Sequence, residues 1–98
     1  MRAEPPFAVV KNVHDESPAQ QAGFPNSCYI INCNGITSTQ YKQNAYSTFL
    51  SVLKQSENRK VVFYVKETRR DDNVLRFDVV PRRWSGPGLT GLVVEQVN

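Results

Sequence analysis

Ser17-Pro18-Ala19-Gln20-Gln21-Ala22-Gly23-Phe24, followed closely by Cys28-Tyr29-Ile30-Ile31-Asn32-Cys33-Asn34-Gly35, is the stretch on which the fold turns. Ser17 is a natural N-cap, Pro18 suits the first helical position, and Gly23 can take the left-handed conformation that ends a helix. The spacing predicts one short helix with both ends marked. Cys28–Cys33 is β-prone, and Asn34-Gly35 after it is a strong tight-turn signal. Upstream, Phe7-Ala8-Val9-Val10-Lys11-Asn12-Val13 half-alternates and reads as a strand. Downstream, Tyr46, Phe49, Leu50 and Leu53 recur at i, i+3, i+4 and i+7. They form one apolar stripe on a long helix from about Gln43 to Ser56, with Lys54 and Gln55 facing water. Val61–Val65 is apolar at almost every position, a strand covered on both faces. A turn at Arg70-Asp71-Asp72-Asn73 leads into Leu75, Phe77 and Val79, which alternate with Arg76 and Asp78 as the second strand of a hairpin. A glycine-rich loop ending at Gly91 opens the last strand, Leu92–Val97. Five or six short strands with one short and one long helix make a small α+β domain, a partly open barrel capped by helices.

The 98 residues fit one domain, read as residues 6–98 behind a flexible tail at residues 1–5. With 40% apolar and 21% charged residues, the chain is neither disordered nor collagen-like. No apolar run approaches the roughly 18–20 residues of a membrane span, so no membrane partner is expected. Twelve basic and nine acidic side chains give a formal charge of +3, too mild to indicate nucleic-acid binding. All of the excess lies beyond residue 49. Arg69-Arg70 is compensated at once by Asp71-Asp72, whereas Arg82-Arg83 has no acidic neighbour nearer than Asp78. Cys28 and Cys33 stand five apart on one strand, a spacing that directs the thiols to opposite faces and argues against a disulfide or a shared metal. His14 has no zinc partner at a familiar spacing, and no cofactor is expected. Cysteine usage fits a reducing compartment.

Catalysis finds little support. His14, Asp15 and Ser17 are hydrolase residue types but crowd one short loop, where they cannot converge on one reacting atom. Gly86-Pro87-Gly88-Leu89-Thr90-Gly91 lacks the Walker lysine and leads into a strand rather than a helix. The chain is therefore not read as an enzyme. A glycine loop entering a strand can instead leave successive backbone N–H groups unpaired, a nest for an anion such as a C-terminal carboxylate. The strand after it can accept an extended peptide, and the Tyr46–Leu53 stripe can supply side-chain pockets.

Phe7 through Gly35, with its strand, Ser-Pro-Ala…Ala-Gly helix, strand and Asn-Gly turn, resembles the middle of a PDZ domain. The tail Pro81-Arg82-Arg83-Trp84-Ser85-Gly86-Pro87-Gly88-Leu89-Thr90-Gly91-Leu92 is similar to the segment that closes the PDZ domain of the proteasome regulatory-particle assembly chaperones, the 26S proteasome non-ATPase regulatory subunit 9 family. The resemblance implies a circularly permuted PDZ fold, with the carboxylate-binding loop near the C-terminus. It implies a monomeric chaperone module of the cytoplasm and nucleus whose partner is the C-terminal tail of a proteasome base ATPase subunit. Backbone N–H groups of Thr90, Gly91 and Leu92, next to Leu89, would hold the carboxylate. Val93 and Val94 would continue the binding strand. Leu50 and Leu53, with Leu92 and Val94, would line the pocket for the last side chain. Tyr46 and Phe49 would complete the helix side, and Arg82 or Arg83 would add long-range attraction for the carboxylate. Thr90 replaces the hydrophobe most PDZ loops carry, which makes the rim more polar and leaves the backbone donors untouched. A regulatory PDZ domain of a serine or metalloprotease is the alternative, disfavoured by the Trp84 segment.

Overall fold

The alternating segments pair as their patterns require. In the computed structural model, which describes residues 5–70 and 73–97, β1 (Ala8–Val13), β2 (Cys28–Cys33), β3 (Val61–Lys66), β4 (Leu75–Val79) and β5 (Leu92–Gln96) form one antiparallel sheet. The strand order is β4-β3-β2-β1-β5, which leaves β4 and β5 as the edges. This sheet and its helices are a small α+β domain compatible with a partly open barrel. The middle of the expected turn, Asp71-Asp72, and residues 1–4 of the expected tail lie outside the described residues.

Ser17 caps α1 (Pro18–Gln21) as its position predicts, its Oγ accepting from the Gln20 N–H at 3.2 Å. The Phe24 N–H returns to the Ala19 carbonyl at 3.0 Å, closing the helix and directing Phe24 inward. Its ring meets Phe63 at 5.2 Å and Phe77 at 5.1 Å. Asn34 and Gly35 both take positive φ, 51° and 90°, in the tight turn after β2. A further short helix, α2 (Ser38–Tyr41), follows this turn where no element was expected. Thr37 caps it, and a 3-10 turn at Lys42–Asn44 joins it to α3 (Ala45–Gln55). Phe49 of α3 is fully buried, its ring 5.5 Å from Phe7 and 6.2 Å from Phe63, and so pins the helix to the sheet. Burial of one such ring contributes on the order of 1.5–3 kcal/mol.

The two cysteines correct a premise drawn from strict alternation. Both are fully buried in the same core, and both are free thiols. The β2–β3 register shifts between Ile30 and Asn32, and the extra residue reverses the parity of the strand. Cys28 and Ile30 before the irregularity therefore share the core with Cys33 after it. Burial pushes each thiol up to about 12, with the Glu67 charge adding to the effect at Cys28.

Candidate functional site

Three consecutive carbonyls of the glycine loop are fastened to the scaffold. The Leu89 carbonyl accepts from the Arg82 N–H at 2.9 Å, that of Thr90 from the Ala19 N–H at 3.0 Å, and that of Gly91 from the His14 N–H at 2.9 Å. In a trans peptide the C=O and the following N–H point in opposite directions, and every peptide bond described is trans. The N–H groups of Thr90, Gly91 and Leu92 are thereby turned away from the scaffold. Those of Thr90 and Gly91 meet no acceptor among the described residues. Gly91 is indispensable to this arrangement, since it sits at φ 81° and an added Cβ would collide with the Ser17 side chain. Ser17 thus both caps α1 and seats the loop. Behind it, the Trp84 ring lies 5.9 Å from His14, held by packing, with its Nε1 donor buried and unpaired among the described residues.

The loop forms one end of a cleft of about 220 Å³ between the outer edge of β5 and α3. Leu50 and Leu53 of α3 line it together with Leu92 and Val94 of β5, and Gly88, Leu89 and Thr90 of the loop complete the lining. Lys54 also lines the cleft. Its side chain is exposed, as expected, and because it follows Leu50 by four residues it also shares that residue's side of the helix. An i, i+4 row through Tyr46, Leu50 and Lys54 was the signal in the sequence that marked it.

The strand's edge is polar and accessible. The His14–Gly91 bond and the Val97 N–H to Phe7 carbonyl bond, at 3.2 Å, direct odd-numbered residues of β5 toward β1. Leu92 and Val94 therefore turn their N–H and C=O groups outward, toward the cleft. Two side-chain hydroxyls reach them. Thr90 Oγ1 accepts from the Leu92 N–H at 3.3 Å, and the Tyr46 hydroxyl donates to the Val94 carbonyl at 3.4 Å. Burial, aided by the Glu95 charge, holds the Tyr46 phenol above its ordinary pKa, so it stays a donor.

The remaining expected residues lie elsewhere. Phe49 belongs to the core and Val93 projects from the outer face, 38% exposed. Arg83 pairs loosely with Glu57 at 3.6 Å, with its side chain 89% exposed. Arg82 donates to Gln21 Oε1 at 2.7 Å and lines a separate concavity beside α1. Neither arginine lines the cleft; Lys54 does. Ser17, Asp15 and His14 form no catalytic array, because Ser17 caps α1 and Asp15 Oδ1 accepts from Gln20 Nε2 at 3.1 Å. Among the described residues no group of His, Cys, Asp and Glu could hold a metal ion, and no helix is long and apolar enough to cross a membrane.

No family model matches the chain. A probable 26S proteasome non-ATPase regulatory subunit 9 of Caenorhabditis elegans is 31% identical over 87 residues, which cover 88% of this chain and 41% of that protein. A probable 26S proteasome regulatory subunit p27 of Schizosaccharomyces pombe is 32% identical over 89 residues, 88% of this chain and 38% of that one. Over most of its length this chain is homologous to these proteasome regulatory subunits. It spans about two fifths of the length of the subunit 9 and p27 relatives. Both names describe regulatory subunits rather than enzymes.

Proposed function

We propose that this domain is a PDZ-type peptide-binding module of a proteasome regulatory-particle assembly chaperone, circularly permuted so that its carboxylate loop comes late in the chain. Its ligand is the free C-terminal tail of a proteasome base ATPase subunit, ending in a hydrophobic residue, tyrosine and one further residue. The observation that carries this reading is the set of three outward amides, Thr90, Gly91 and Leu92, at the loop end of an apolar cleft that Lys54 also lines. An apolar cleft alone would suit many ligands. Backbone donors and a cation at one end demand an anion there, and an open strand edge leading away from them demands an extended chain. A polypeptide C-terminus meets both requirements.

Each amide bond to the carboxylate contributes on the order of 1.5–3 kcal/mol, and burial of the last side chain a similar amount. Immobilising the peptide offsets much of this, so affinities on the order of micromolar follow. Holding such a tail would keep it from docking prematurely on the proteolytic core, in the cytoplasm or nucleus. The kinship to proteasome regulatory subunits supports this choice of partner. Fluorescence anisotropy with a labelled peptide ending in leucine-tyrosine-leucine tests the mechanism. The free acid binds, and the amidated peptide loses roughly tenfold or more in affinity. Equal binding of the two forms would remove carboxylate capture.

A further inference from the structure

The two hydroxyl contacts on the outer edge of β5 have a common logic. An edge strand offers unpaired N–H and C=O groups to any passing strand, and folded proteins blunt such edges. In this domain the blunting falls on groups that face the cleft. Thr90 Oγ1 accepts from the Leu92 N–H, and the Tyr46 hydroxyl donates to the Val94 carbonyl, from opposite sides of the same opening. Both bonds are long, 3.3 and 3.4 Å, beyond the usual range for strong bonds, so they are readily exchanged for better ones.

We infer that Thr90 and Tyr46 are specificity-determining residues that close the cleft in the free domain by taking the places of a ligand's carboxylate and of a ligand's backbone N–H. The inference rests on the proposed peptide-binding reading. It extends that reading by making ligand entry an exchange, in which two internal bonds are surrendered for two external ones. A chain whose C-terminus lies at the loop runs antiparallel to β5. Its carboxylate then takes the Leu92 N–H from Thr90. The backbone N–H of its third residue from the end, opposite Val94, takes the carbonyl from Tyr46. A ligand that offers only one of the two groups displaces only one cap. The device therefore selects for a free carboxylate and an extended backbone together, and it keeps the unoccupied edge from pairing with other strands.

The two caps are separable by substitution. Thr90→Val preserves the shape of this almost fully buried side chain and removes its acceptor; Thr90→Ser keeps the hydroxyl and loses the methyl group. Tyr46→Phe removes only the phenolic oxygen and leaves its packing on Phe49. The leucine-tyrosine-leucine peptide is titrated as the free acid, and again with an N-methyl group on its third residue from the end. Thr90→Val and Tyr46→Phe each bind the free acid about two- to fivefold tighter than the unaltered domain, and Thr90→Ser binds like it. The N-methylated peptide retains the gain from Thr90→Val and loses the gain from Tyr46→Phe. In the free domain, hydrogen exchange at the Leu92 amide is faster in Thr90→Val than in the unaltered domain or Thr90→Ser.

If the unaltered domain binds the peptide and the two variants bind no better, the exchange mechanism is wrong while the peptide-binding reading stands. An unchanged Leu92 exchange rate in Thr90→Val overturns the mechanism as well. If no form binds the free acid, the peptide-binding reading itself fails and the inference falls with it.

Discussion

Lys54 stands four residues beyond Leu50 and eight beyond Tyr46, so the three share one row along α3; Leu50 and Lys54 line the cleft, and the Tyr46 hydroxyl reaches the Val94 carbonyl. A helix that presents apolar side chains along most of a groove and an ammonium group at the end nearest an amide loop is polarised toward an anion. Arg82 and Arg83 precede that loop directly in sequence but are drawn away from it, one to Gln21 and the other to Glu57. Proximity along the chain is thus a poorer guide than helical position. Lys54→Glu weakens binding of a free-carboxylate peptide by about threefold to tenfold at low salt, and the difference shrinks as salt rises, because the side chain is bordered by solvent and its field is screened. An affinity unaffected by the charge reversal at low ionic strength would place the carboxylate elsewhere.

The elements were legible wherever the local pattern and the tertiary packing agree. Ser17, Pro18 and Gly23 mark α1 with residues whose chemistry acts within a few bonds, and β2 runs over the expected residues because a tight turn follows it. What escaped was parity and depth. The register shift near Ile31 comes from pairing with β3, a long-range matter with no local signature, and it places Cys33 beside Cys28 in the core. Phe49 lies within the stripe that contains Leu50, yet it points into the core while Leu50 borders the cleft. A stripe wide enough to serve both surfaces does not reveal where one ends. The outward amides are different again: their direction is fixed by which carbonyls the scaffold holds, and those partners, Arg82, Ala19 and His14, come from three separate segments. The burial of both thiols has a measurable consequence at this level. Their folded pKa values, about 12, exceed the ordinary 9.0, so they favour the folded state fully below pH 9 and lose that contribution as pH rises toward 12. The urea midpoint of the domain accordingly falls across this window, and that of a Cys28→Ala/Cys33→Ala variant falls less steeply. Parallel pH profiles for the two would contradict the assignment.

For the whole molecule, the arrangement is a rigid frame around one adaptable edge. His14, Arg82 and the capped α1 hold the glycine loop through three backbone hydrogen bonds, while among the described residues the ligand-facing side of β5 carries two long contacts from side chains. Stability and recognition are thereby assigned to different groups, and a ligand can exchange the second set without disturbing the first. The segment corresponds to about two fifths of the related regulatory subunits, and a groove of this size buries little surface, so in a longer chain the proposed tail capture would work together with contacts made elsewhere. The central claim is that a terminal carboxylate sits on the amides of Thr90, Gly91 and Leu92. Amide chemical shifts of the isotopically labelled domain, followed while the leucine-tyrosine-leucine peptide is added as free acid and separately as amide, test it most directly. The free acid is expected to produce its largest shifts at these three amides and at Val94, and the amidated peptide to leave the three loop amides nearly unmoved. Shifts concentrated outside β5, α3 and the loop, or the same loop shifts with both peptides, would contradict it.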